Sequence, residues 1–244
     1  MKISLITYVP KISKNGTQEF HSIKYILDPF LKSLTQSSTE NVEVEVINLD
    51  QMLINECLGC SEDLFFTPQD TCRQKDDMNS VYPILRDSDL WFFAISSNLP
   101  TLPTKLLNFL DRLEPLFTED FLEMNGNGKS SSKKKFTGGI FLLGTSFLWD
   151  RSVFDELTFQ MQSLAVLFNR ELKGQILRPH YSAFIEHCEN DSTFKEQILK
   201  DINYISNSIL NSEKIDDSHF QSLNAPIITR DEYIRKFSEV LSII

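Results

Sequence analysis

Three of the four cysteines of this 244-residue chain, Cys57, Cys60 and Cys72, fall within sixteen residues, in "CLGCSEDLFFTPQDTC". Thiols at that density suit a bound metal, an iron-sulfur cluster or a dithiol–disulfide couple. Each makes a further demand. A cluster or tetrahedral zinc takes four ligands, and this segment supplies three thiols, with Cys188 and its neighbour His187 far along the chain. A reactive Cys57/Cys60 pair needs a lowered thiol pKa, yet "SEDLFF" places two acids directly after it. The simpler reading makes Cys57 and Cys60 small buried residues that shape a loop around Gly59.

A second group of residues carries different chemistry. "YVPKISKNGTQEF" brings Ser13, Asn15, Gly16 and Thr17 to the start of a helical pattern. Backbone N–H groups at a helix start, with hydroxyls beside them, hold a phosphate monoester. "SSNLP" offers Ser96, Ser97, Asn98 and Leu99, whose amides suit the edge of a flat heterocycle. "TSFLWD", from Thr145 and Ser146 onward, adds the aromatic surfaces of Phe147 and Trp149. One tempting fragment fails: Gly128-Lys129-Ser130 resembles the end of a phosphate-cradling P-loop, but position 123, where that motif needs glycine, is Glu.

These three loops must be positioned by the elements between them. "ISLIT" (3–7) reads as a strand, "VEVEVI" (42–47) as a half-exposed edge strand, and "LWFFAI" (90–95) and "IFLLG" (140–144) as buried central strands; "GQILRPHY" (174–181) suits the opposite edge. Amphipathic stretches separate them. Ile23, Ile26, Leu27, Phe30 and Leu34 share a helical face interrupted at Pro29, and Pro103 opens a helix striped by Leu106, Phe109 and Leu113. Ser152 with Asp155, and Thr193 with Glu196, read as capping boxes of two further helices. Alternation of this kind predicts an α/β fold: a flavodoxin-like, doubly wound, five-stranded parallel sheet in the order 2-1-3-4-5. Ligands of such sheets bind at the carboxyl ends of the strands beside the switch point, where the three loops lie. Residues 1–211 form the predicted domain, and 212–244 a C-terminal helical extension.

Composition excludes some partners. The net charge of −10 argues against a nucleic-acid binder, and the basic cluster at 129–135 reads as a solvated surface loop. No apolar run approaches the roughly 18 residues of a membrane span. "MKISLITYVP" runs into "KISKNGT" without a signal-peptide cleavage site, so a cytoplasmic protein with reduced thiols is expected.

Taken together, "VPKISKNGT", "CLGC" with the later "KDDM", "FLDRLEPL" and the tail "NAPIITRDEYIRKF" resemble the NAD(P)H-dependent FMN reductases of flavodoxin-like fold, in particular the branch that includes iron-sulfur flavoproteins. The resemblance implies that Pro10, Lys11, Ser13, Asn15, Gly16 and Thr17 form an FMN phosphate loop. It implies that Ser96, Ser97, Asn98 and Leu99 meet the isoalloxazine ring; Thr145, Ser146 and Phe147 of the third loop join the expected cofactor site from the reading of that loop. Hydride would pass from NAD(P)H through the flavin to a small acceptor: a quinone, an aromatic compound, a metal or free flavin. Val9 stands where the family has Ser, "ISSNLP" lacks the family's proline and tyrosine, and Asp63 stands where the cluster-bearing branch has a further cysteine. A cluster on Cys57, Cys60 and Cys72 is therefore not expected. The alternative is a flavodoxin-like electron-relay or binding scaffold with an altered or lost flavin site. A homodimer is expected from the resemblance and from the apolar face of Tyr233, Phe237, Val240 and Leu241.

Overall fold

The computed structural model describes residues 1–9, 17–36, 41–60, 71–97, 99–116 and 138–241, without the side chains of 17–22 and 237–241. Five parallel strands, β1 (Lys2–Tyr8), β2 (Glu43–Asn48), β3 (Leu90–Ser96), β4 (Gly139–Thr145) and β5 (Glu171–Arg178), form one sheet in the order β2-β1-β3-β4-β5. That is the expected order. Every residue of β3 and β4 is buried, as befits strands covered on both faces.

Alternation along β3 and β4 divides the core into two layers. Trp91, Phe93, Ile95, Ile140 and Leu142 face α2 (Met78–Asp87), α3 (Thr104–Asp111) and α4 (Asp155–Leu167). Phe92, Ala94, Phe141 and Leu143 face α1 (Thr17–Gln36), α5 (Tyr181–Asn190) and α6 (Ser192–Leu210). Phe30 of α1 stacks on Phe92 and Phe141 with centroids 5.1 and 5.0 Å away. Each such ring contributes roughly 1.5–3 kcal/mol by leaving water. The chain starts β4 through Gly138, at φ 112°; a Cβ there would lie 2.0 Å from the Asp89 carbonyl oxygen.

The edges differ in detail from expectation. In β2, Val44 packs on the α1 side, but Val46 stands 63% exposed and Ile47, in phase with the glutamates, is buried. At an edge strand the two faces are covered to different heights, so strict alternation fails. α7 (Ser218–Asn224) lies against α6 and β5, and α8 (Arg230–Leu241) follows it. The Asn224 amide takes the place of a sixth strand: its Oδ1 accepts from the Leu177 N–H (2.7 Å) and its Nδ2 donates to the Gln175 carbonyl (3.3 Å).

Helix starts are corrected too. Asp150, not Ser152, caps the 3-10 turn Arg151–Phe154 that leads into α4, accepting from the Ser152 N–H at 2.9 Å. Asp191, not Thr193, caps α6, accepting from the amides of Thr193 and Phe194. In both cases the aspartate binds the amide two residues on, which leaves the hydroxyl outside the cap. Pro29 does not end α1, which runs through it.

Candidate functional site

Ser96 ends β3 and Thr145 ends β4, and the two are direct partners in the sheet register, with Arg178 of β5 next in the same row. Neighbouring strands lie about 4.8 Å apart, so the row is compact. All three side chains are buried. Among the described residues the Ser96 Oγ and Thr145 Oγ1 have no hydrogen-bond partner, and neither do Nε and Nη1 of Arg178. Buried polar atoms left this way cost stability unless something else satisfies them. The row stands at the carboxyl ends of the strands, beside the switch point between β1 and β3.

The neighbouring groups are committed. Ser97 donates its amide to the Thr145 carbonyl (2.9 Å) and its hydroxyl to the Leu99 carbonyl (2.8 Å), so this amide is not free as the sequence suggested. Ser146 gives its N–H to the Arg178 carbonyl (3.0 Å), and its hydroxyl accepts from the Leu148 amide (3.1 Å). Leu99 is 64% exposed, and Phe147 is half-buried at the rim. Pro10, Lys11, Ser13, Asn15, Gly16 and Asn98 lie outside the described residues, as do Asp63 and the basic loop at 129–135; of Thr17, only its place as the first residue of α1 is described.

Residues from the tail complete the far side. Tyr233 donates its hydroxyl to the Phe147 carbonyl, Trp149 its indole N–H to the Ile228 carbonyl (3.3 Å), and the Ile227 amide donates to Nε2 of His180 (3.3 Å). The last bond needs a neutral ring. Burial, and then the nearby Arg178 charge, hold His180 down at about 4, so it is neutral at pH 7. Burial lowers Arg178 to about 10, which leaves it charged. Its guanidinium lies 5.1 Å from the Phe184 ring and gives Nη2 to the Ala225 carbonyl (2.5 Å). Cys188, pushed up to about 11 chiefly by burial, is a thiol rather than a nucleophile.

The cysteine segment sits elsewhere and is built differently. After β2 the chain runs along α3: Lys105 Nζ donates to the carbonyl of Asp50 (2.6 Å), Asn108 to that of Ile54 (3.2 Å), and Arg112 to that of Asn55 (3.1 Å). Arg112 also makes a two-pronged, fully buried ion pair with Asp76 at 2.7 and 3.0 Å. Asp76 Oδ2 accepts from the Asn55 amide (3.0 Å), Asp77 from the Leu53 amide (2.7 Å), and Asn79 Oδ1 from the Cys72 amide (2.8 Å). "KDDM" and "FLDR", quoted above only as markers, thus meet to clamp this loop. From Lys105 to Arg112 the loop descends α3 by about 10 Å, away from the loop after β3.

Cys57 is exposed and Cys60 and Cys72 half-exposed, all reduced, which corrects the expectation of small buried residues. The Gly59 amide approaches the Cys57 sulfur at 3.5 Å. Among the described residues no three His, Cys, Asp or Glu side chains are grouped to hold a metal, and no helix is long and apolar enough to cross a membrane.

No protein-family profile matches the chain, and no curated protein matches its sequence. Solved structures do match in fold. An azoreductase from Bacillus anthracis str. Sterne aligns with a TM-score of 0.51 at 11% identity, over 85% of this chain and 99% of that one. A candidate quinone reductase from Klebsiella pneumoniae gives 0.54 at 14%, over 88% and 87%. A flavone reductase gives 0.50 at 15%, over 92% and 70%. At these identities the likeness is one of fold. The chain has the flavodoxin-like α/β fold, the fold of the reductases that its motifs resemble.

Proposed function

We propose that this protein is a flavin-dependent NAD(P)H oxidoreductase that binds FMN at the carboxyl ends of β1, β3 and β4 and reduces a small conjugated acceptor. The observation that carries the reading is the pair of buried hydroxyls of Ser96 and Thr145, unpartnered among the described residues, at the carboxyl ends of β3 and β4. A polar ring edge arriving there supplies the partners those oxygens lack. Three solved structures of this fold named as reductases of azo compounds, a quinone and a flavone support the reaction class.

When bound, FMN supplies hydride acceptance from NAD(P)H and two-electron delivery to the acceptor. The chain's part is to hold and orient. Ser96 and Thr145 present hydroxyls from rigid strand ends, while Ser97 and Ser146 spend theirs on shaping the two loops. Phe147 covers the rim. The residues of the loop after β1, Pro10 to Thr17, take the phosphate in this reading. No general acid is needed, and the neutral His180 and protonated Cys188 are not cast as one.

The test is direct. Purified protein is expected to be yellow, or to take up FMN stoichiometrically with quenching of flavin fluorescence, and to oxidise NAD(P)H in the presence of a quinone. Colourless protein that ignores added FMN would favour the second reading, a flavodoxin-like scaffold without flavin. The internal engagement of the Ser97 and Ser146 amides is what speaks for that alternative.

A further inference from the structure

Beyond the loop after β4 a groove of about 810 Å³ opens between Trp149–Arg151 and α7, floored by the β5 edge at Gly174 and Gln175. That volume lies within the roughly 300–1,000 Å³ of small-molecule sites. Of the residues named above for the three binding loops only Trp149 lines it, two residues from Phe147.

Its lining is differentiated. The Trp149 ring is fixed: it stacks near-parallel to His180 (22°, centroids 6.5 Å apart) and its N–H is held by the Ile228 carbonyl. A preset indole at a groove wall offers a slab for a planar base. Gln175 lines the floor, and its Oε1 is buried without a donor among the described residues. Gln221, on the opposite wall, is an exposed amide. Amides of this kind match the mixed donor and acceptor edge of an aminopurine. Asp217, exposed at the mouth, suits ribose hydroxyls.

Cations gather at the end nearest the site. Arg151 lines the groove and is exposed, and its side chain makes no hydrogen bond or ion pair among the described residues. Directly behind Ala225, the buried Arg178 holds two donors, Nε and Nη1, without acceptors among the described residues. Arg230 stands near Asp150, whose carboxylate is turned onto the Ser152 amide. Of the three, Arg151 alone lines the groove, and in a chain of net charge −10 an exposed arginine without an ion pair among the described residues marks a place for an anion.

We propose that this groove binds a nucleoside phosphate, with the base on Trp149, the sugar toward Asp217 and the phosphate toward Arg151. Resting on the redox reading above, the ligand is the adenosine phosphate half of the nicotinamide co-substrate, laid out so that its other half reaches the loops at Leu99 and Phe147.

The probe is adenosine 5′-diphosphate, which has neither nicotinamide nor flavin, added to flavin-free and FMN-treated protein. Binding is read by calorimetry and by tryptophan fluorescence. Trp91 is fully buried and Trp149 half-exposed, so the quench reports the groove. Saturable quenching is expected, lost in Trp149→Leu, with the calorimetric affinity weakened at least tenfold in that variant and in Arg151→Ala. Arg151 is exposed, so its variant keeps the fold and the test stands even where Trp149→Leu unfolds. Lys200→Ala, on α6, is expected to bind as the wild type does. Absence of binding by the wild type, or unchanged affinity in Arg151→Ala, overturns the groove. Uptake of FMN is scored separately: protein that takes FMN but not the diphosphate loses only this site, and protein that takes the diphosphate but not FMN keeps it and loses the flavin reading.

Discussion

Asp76 and Arg112 carry the sharpest expectation at the residue scale. Burial acts to raise the Asp76 carboxyl, but the Arg112 hydrogen bond and the Asn55 amide together outweigh it, and the carboxyl lies below its ordinary value. A depressed carboxyl contributes stability that is present above its unfolded value, about 3.9, and is lost as pH falls through the folded one. The denaturant midpoint is therefore expected to drop below about pH 4, and Asp76→Asn should flatten that slope. Asp76→Ala leaves Arg112 buried without its anion, at a cost of roughly 3–5 kcal/mol by urea titration. A loss under 1 kcal/mol would show that water reaches the pair. Thr145→Val asks the opposite question. It removes a hydroxyl that no described residue satisfies, so the thermal midpoint without flavin should hold or rise. FMN affinity should fall about two- to tenfold, the worth of one neutral hydrogen bond; equal FMN affinity would remove Thr145 from the site.

At the scale of elements, the β5 edge is the informative one. Asn224→Ala takes away the side chain that closes the strand at Leu177 and Gln175, and should destabilise by about 1–3 kcal/mol. Faster exchange of the Leu177 amide and new light scattering at high concentration would follow, since an open edge recruits other strands. Unaltered exchange at Leu177 would mean that backbone, not Asn224, protects the edge. This closure was not legible in the sequence, because it joins residues 47 apart and an asparagine in "QSLNAP" looks like any turn residue. The order of the strands was legible, since "LWFFAI" and "IFLLG" have no polar position and "VEVEVI" does. Helix caps were read one device too late: Asp150 and Asp191 outcompete the serine and threonine that follow them. At the candidate site, Ser96 and Thr145 could be singled out from their places after buried strands. Arg178 could not, although an arginine closing the strand "GQILR" was the available signal.

For the whole molecule, the expectation of a homodimer points to a surface. α4 exposes Phe159 (65%), Val166 (84%) and Leu167 (50%), along a stretch, Thr158 to Asn169, without a charged residue. The tail had been the expected seam, but Phe237, Val240 and Leu241 have no described side chains, and Tyr233 turns inward to Phe147. We propose α4 as the seam of a symmetric pair. Sedimentation at micromolar concentration should give a dimer that Val166→Glu converts to monomer; a wild-type monomer would end the proposal.

The three bonds from the tail to the loops after β4 and β5 have a consequence in time. Phe147 waits for Tyr233, 86 residues later, Trp149 for Ile228, 79 later, and His180 for Ile227, 47 later. Synthesis reaches all five strands before the segment that fastens the loops after β4 and β5, so the sheet can be assembled while that segment is still being made. A formed sheet can thus stand while the loops after β4 and β5 still lack the bonds that hold them.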